Sequence, residues 1–89
     1  GLGAMLEPSP EKELLQQKGI SGTVTDEKGD PIPGVTIIVR GTALGALTDI
    51  SGKYTLSNVP QNATLVFSFV GMTTQEIPSA GRAVVDVVL

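Results

Sequence analysis

The 89-residue sequence predicts an all-β fold: a seven-stranded antiparallel Greek-key β-sandwich preceded by a flexible linker or short helix. Three observations point there. From Ile20 onward apolar and polar residues alternate in short runs, the period of a strand with one buried face. Between the runs lie clusters of Gly, Pro, Asp and Ser, each with a conformational reason to turn the chain. No helical periodicity interrupts the middle of the sequence. The predicted division is residues 1–19 as linker or short helix and residues 20–89 as the sandwich domain.

Residues 1–19 stand apart. Gly1–Leu6 is small and apolar but lacks the basic flank and length of a signal peptide, and reads as a cloning remnant or the start of a mature fragment. Ser9 can cap a short helix with Pro10 at its first position, Glu11 and Glu13 in its first turn, Lys18 in its last and Gly19 beyond it. Leu14 and Leu15 are its only anchors, so a linker is the simpler expectation.

The first predicted strand puts Ile20, Gly22 and Val24 on one face and Ser21, Thr23 and Thr25 on the other. Asp26–Asp30 is a polar hairpin-type loop. Val35, Ile37 and Val39 then alternate with Thr36, Ile38 and Arg40, and Ile38 breaks the pattern, so both faces are expected to be partly covered. After the Gly41–Gly45 connector comes a short strand at Leu47–Thr48, and Asp49-Ile50-Ser51-Gly52 turns the chain into Tyr54–Leu56. Asn58–Ala63 reads as a turn. Thr64–Val70 is the most apolar strand, with Leu65, Phe67 and Phe69 on one face, and is expected to be central. Thr73–Ile77 is a polar strand near an edge, closed by Pro78. Ala83–Leu89 is the last, with Val84, Asp86 and Val88 toward solvent. Consecutive strands are expected to form hairpins with one or two crossovers between sheets. The chain stops at Leu89 inside an apolar run, which predicts a domain cut from a longer protein.

Composition removes most chemistry. There is no histidine, so the commonest general base, zinc ligand and nucleophile partner is missing, and no cysteine for a disulfide or a thiolate site. Net charge is −3 and the six basic residues are scattered, without aromatic interleaving, which argues against nucleic-acid binding. No apolar run approaches the ~18 residues of a membrane helix. Asp49-Ile50-Ser51-Gly52 opens like a calcium loop but continues with Lys53 and Tyr54, so an Asx turn is the better reading. Asp26, Glu27 and Asp30 share one exposed loop rather than a cleft. Ser51, Ser57, Ser68 and Ser79 have no histidine partner and no nucleophile-elbow context. Gly41–Gly45 lacks the lysine and helix of a phosphate loop. Tyr54, Phe67 and Phe69 could line a sugar-binding surface, but at alternating strand positions they read as core. No catalytic, cofactor or metal residue is therefore assigned.

Three pieces carry a resemblance: Ile20-Ser21-Gly22-Thr23-Val24-Thr25-Asp26 followed by Gly29-Asp30-Pro31-Ile32-Pro33-Gly34-Val35; Gly41-Thr42 with Thr48-Asp49, Gly52 and Tyr54; and Leu65-Val66-Phe67-Ser68-Phe69-Val70-Gly71-Met72. Together they resemble the carboxypeptidase-regulatory-like domain, a transthyretin-like, Ig-like sandwich, and most of all the N-terminal extension of SusC-type TonB-dependent outer-membrane transporters. The resemblance implies a non-enzymatic accessory or interaction domain on the periplasmic side of the Gram-negative outer membrane. It implies as partners the transporter's own plug and barrel, the TonB system and a SusD-like lipoprotein, with no cofactor. The other readings are a folding-accessory module of a secreted peptidase or surface protein, or a carbohydrate- or calcium-binding module.

Overall fold

In the computed structural model, which describes residues 17–89, the first alternating stretch is a strand that starts sooner than predicted: β1 spans Gln17–Thr25. Gln17–Gly19 thus belong to the sheet and not to the end of a helix, while the linker-or-helix reading of residues 1–16 lies outside the described residues. The remaining strands are β2 (Thr36–Val39), β3 (Gly45–Leu47), β4 (Lys53–Pro60), β5 (Thr64–Ser68), β6 (Gln75–Pro78) and β7 (Val87–Val88). They form a three-stranded sheet in the order β4-β1-β7 and a four-stranded sheet in the order β3-β2-β5-β6, with no helix among the described residues.

β5 lies inside its sheet and β6 at the edge, as their apolar and polar compositions predict. Two expectations are corrected. The pairing is not wholly antiparallel, because β7 runs parallel to β1, Val24 opposite Val87 and Thr25 opposite Val88. A parallel pair needs a long return path, and the entire second sheet supplies it. Hairpins are also fewer than expected. Only β2–β3 and β5–β6 are neighbours in both sequence and sheet, so β1–β2, β3–β4, β4–β5 and β6–β7 all cross between sheets.

A third correction concerns Asn58–Ala63, which was expected to be a turn. β4 continues to Pro60 through a bulge. Lys18 pairs with Val59 and Ile20 with Leu56, so Ser57 and Asn58 together face Gly19. Asn58 takes the left-handed conformation, φ 58°, that asparagine tolerates better than most residues. The extra residue resets the alternation, so that Tyr54, Leu56 and Val59 all point inward. The same insertion carries the β1–β4 ladder out to Gln17, which is why β1 begins early.

The inward faces meet in one core. Val24, Val35, Ile37, Val39, Val59, Leu65, Phe67 and Val85 are sealed from solvent, with Ile20, Ile32, Tyr54, Leu56, Ala63 and Val87 around them. Burying each such side chain contributes roughly 1.5–3 kcal/mol. Tyr54 and Phe67 meet edge to face, centroids 5.5 Å apart at 76°, bridging the two sheets through the core. Thr48, buried just past β3, uses its hydroxyl twice: it accepts from Val35 N–H at 2.9 Å and donates to Ile32 C=O at 2.6 Å. Among the described residues every buried side-chain polar atom has a partner.

Candidate functional site

The loop acids are occupied by their own backbones. Asp26 Oδ1 accepts from Lys28 N–H (2.8 Å) and Asp30 N–H (3.0 Å). Asp49 Oδ1 repeats this with Ser51 N–H (2.9 Å) and Lys53 N–H (3.0 Å). In both loops the Asp N–H donates to the last carbonyl of the five-residue segment, and a glycine N–H returns to the Asp carbonyl. Those glycines, Gly29 and Gly52, sit at φ 88° and 75°. Each loop is a turn closed by a left-handed glycine, and each lies where the chain leaves one sheet for the other. Asp49 was expected to behave this way. Its twin at Asp26 was legible in the same Asp-x-x-Gly spacing.

The other predicted positions also take structural roles. Thr42 Oγ1, in the glycine-containing connector, donates to Val39 C=O and accepts from Leu44 N–H. Phe67 is fully buried and Phe69 packs against the core, so neither forms an exposed aromatic platform. Ser79 is buried, its Oγ against Gln61 C=O at 3.2 Å.

The most specific polar arrangement was missed. Tyr54 Oη donates to Val85 C=O at 2.5 Å. In a regular parallel ladder that carbonyl would face Thr23 N–H. Thr23 N–H bonds to Asp86 Oδ1 instead, at 2.8 Å. Ser21 N–H to Ala83 C=O, Val85 N–H to Ser21 C=O and Leu89 N–H to Thr25 C=O complete the seam. The last strand is therefore not continuous over Ala83–Leu89 as expected: a bridge at Val84 and the two residues of β7 flank a segment whose carbonyl turns inward. Asp86 does lie on the solvent side with Val84 and Val88, as the alternation predicts. An acid within a valine-rich run was the available signal that its carboxylate has a backbone duty.

Burial, reinforced by the Asp86 carboxylate and opposed by the Arg82 guanidinium, pushes the Tyr54 hydroxyl up to about 12 from its usual 10.0. The neutral phenol is thus favoured in the folded state, so its contribution is complete below pH 10 and is lost as pH rises toward 12. Urea unfolding between pH 9 and 12 is expected to show stability falling by on the order of 2 kcal/mol in the wild type and by clearly less in Tyr54→Phe.

The strand edges offer poor templates for an added strand. β3 and β7 are very short. β4 carries Lys53, the bulge and Pro60, and β6 carries Glu76 and Pro78. Gln75 Nε2 further ties β6 to β7 through Val88 C=O at 2.9 Å.

A family model described as the CarboxypepD_reg-like domain matches residues 20–85. A TonB-dependent receptor, P39, from Formosa agariphila is 44% identical over 85% of this chain, and the TonB-dependent receptor SusC from Bacteroides thetaiotaomicron is 39% identical over 78% of it. The chain spans only 7% of the length of each. Among solved structures, a type II cohesin–X-dockerin complex from Acetivibrio cellulolyticus contains a chain that superposes with a TM-score of 0.63 at 22% identity, over 80% of this chain and 52% of that one, which shows likeness of fold alone. None of these matches indicates a catalytic family.

Proposed function

Because the chain belongs to the CarboxypepD_reg-like domain family and has TonB-dependent receptors among its relatives, we propose that it is a non-catalytic accessory domain of a SusC-like TonB-dependent outer-membrane nutrient transporter. The observation that carries this is the receptor match: 44% identity over 85% of the chain, against a relative that is more than ten times longer, since the chain covers 7% of it. That proportion, together with the match of residues 20–85 to a self-contained domain family, supports a module appended to the receptor's transport pathway. The geometry supports the same reading. Asp26, Asp49 and Asp86 hold backbone amides, Tyr54 holds a carbonyl, and the aromatics fill the core.

In this reading the domain lies on the periplasmic side, and its partners are the plug and barrel of its own receptor, with the TonB system and a SusD-like lipoprotein serving the whole transporter. The nutrient is a glycan-type molecule handled by the remainder of the receptor. The test is an in-frame deletion of residues 20–89 in the receptor gene, read as nutrient uptake and as the amount of receptor in the outer membrane. Uptake or receptor abundance is expected to fall severalfold. Wild-type values for both would refute an accessory role, and hydrolytic activity in the isolated chain would refute the non-catalytic assignment.

A further inference from the structure

The parallel ladder between β1 and β7 stops on one side only. Val87 and Val88 stand opposite Val24 and Thr25, and Leu89 N–H carries the register one step further to Thr25 C=O at 2.9 Å. β1 leaves the ladder there, because Asp26–Asp30 folds into its glycine-closed loop. Leu89 lines an open groove of about 490 Å³. The β1–β2 loop contributes Asp26, Glu27 and Lys28 to it, and the β5–β6 hairpin contributes Met72, Thr73 and Gln75. Met72 and Leu89 are half-buried and pack against the core, so the groove has an apolar part. Its charges are modest: Asp26 Oδ1 is engaged by backbone amides, and Glu27 and Lys28 are neighbours of opposite sign. The groove also holds unused donors. Glu27 N–H stands where a regular parallel ladder would place its next bond to β7, and neither it nor Thr73 N–H has an acceptor among the described residues.

We propose that this groove holds the first four or so residues that follow Leu89 in the receptor polypeptide, extended and in line with β7. The inference rests on the receptor reading above, in which the chain runs on past Leu89. Position selects both the groove and its occupant. Leu89 is itself part of the lining, and an extended chain advances only about 3.3 Å per residue, so the next few residues pass over Met72, Thr73 and the Glu27 amide before they reach anything else. The hollow beside Gly34 and Phe69 and the one beside Ser21 and Val84 are not lined by Leu89, and no such segment is led into them. The strand period carries over as well. Val87 is buried and Leu89 packs against the core, so the second residue past Leu89 faces Met72 and is expected to be apolar, with the first and third toward solvent.

The domain has no cysteine, so single thiols report each position cleanly. Thr73→Cys and Thr55→Cys, both at exposed positions, are placed separately in the 89-residue chain, in that chain lengthened by the next eight receptor residues, and in the complete receptor, in a background free of other reactive thiols. Maleimide labelling of Thr73→Cys is expected to slow about tenfold on lengthening and to change little further in the receptor, with Thr55→Cys changing less than about twofold on lengthening. Exchange of the Glu27 amide is expected to slow with it. Equal Thr73→Cys rates in the short and lengthened chains would overturn the proposal. So would equal slowing by an eight-residue Gly-Ser tail, which reduces the effect to crowding. Slowing seen only in the complete receptor assigns the groove to a distant part of that protein, and slowing in the 89-residue chain as its concentration rises assigns it to a second copy; either overturns the proposal. If Thr73→Cys labels freely in the lengthened chain while deletion of residues 20–89 still impairs the receptor, the groove assignment falls and the accessory role stands. A silent deletion beside a slowed Thr73→Cys leaves the groove filled and refutes the accessory role.

Discussion

Replacing Gly22 with alanine is expected to destabilise the domain by about 3 kcal/mol or more, enough to unfold much of the population at 37 °C. Strand propensity alone gives the opposite sign, because alanine in place of glycine normally gains about 0.5–1 kcal/mol within an element. The structure decides against propensity. A Cβ on Gly22 would overlap the carbonyl oxygen of Val85 outright, fall 2.7 Å from its carbonyl carbon and 2.8 Å from Tyr54 Oη. Two of these atoms are main chain, so no rotamer change relieves the overlap. The C-terminal segment must move off β1, which breaks the Tyr54–Val85 bond and the Thr23–Asp86 bond together. Urea unfolding gives the magnitude, and amide exchange shows where the damage begins: the N–H groups of Ser21, Thr23, Val85 and Leu89 are expected to lose protection first. A Gly22→Ala variant as stable as wild type would show that the seam is not close-packed as described.

Phe67→Ala is expected to be the most damaging core truncation, at about 3–5 kcal/mol. Phe67 is fully buried, lies on the central strand β5 opposite Ile37, and meets Tyr54 of the other sheet edge to face. Its removal forfeits the ring's transfer energy and leaves a cavity between two sheets whose hydrogen-bonded backbones cannot collapse into it. Domain stabilities of about 5–15 kcal/mol, with small domains toward the low end, leave little margin. Phe67→Leu, which keeps most of the volume, is expected to remain folded and to lose clearly less. Thermal melts of both variants test this, and a Phe67→Ala variant that loses under 1 kcal/mol would move the centre of the core elsewhere.

The fold was readable wherever a local pattern carries it. Val35, Ile37 and Val39, then Leu65 and Phe67, point inward because alternation is a property of the strand alone. Val84, Asp86 and Val88 point outward for the same reason. What the sequence hid was set by distant partners. The β4 bulge depends on Asn58 taking a left-handed backbone opposite Gly19, and Asn-Val-Pro-Gln-Asn reads locally as a plain turn. The parallel seating of β7 depends on residues more than sixty positions away, and nothing within AVVDVVL indicates direction. The roles of Tyr54 and Asp86 were illegible for the same reason, since each is defined by a backbone group that only the folded chain brings near. For Asp26 and Asp49 the reverse holds: partners two and four residues away made their duty local.

The parallel seating of β1 and β7 has a mechanical corollary. The start of β1 and the end of β7 lie at opposite ends of their shared seam. Tension applied at Gln17 and Leu89 would therefore run lengthwise along it and strain its bonds together, not peel them one by one. The Asp86 and Tyr54 links sit within that seam and would carry load with the ladder. Stretched between two anchor points, the domain should yield abruptly at a high threshold, as a rivet does, instead of unravelling gradually.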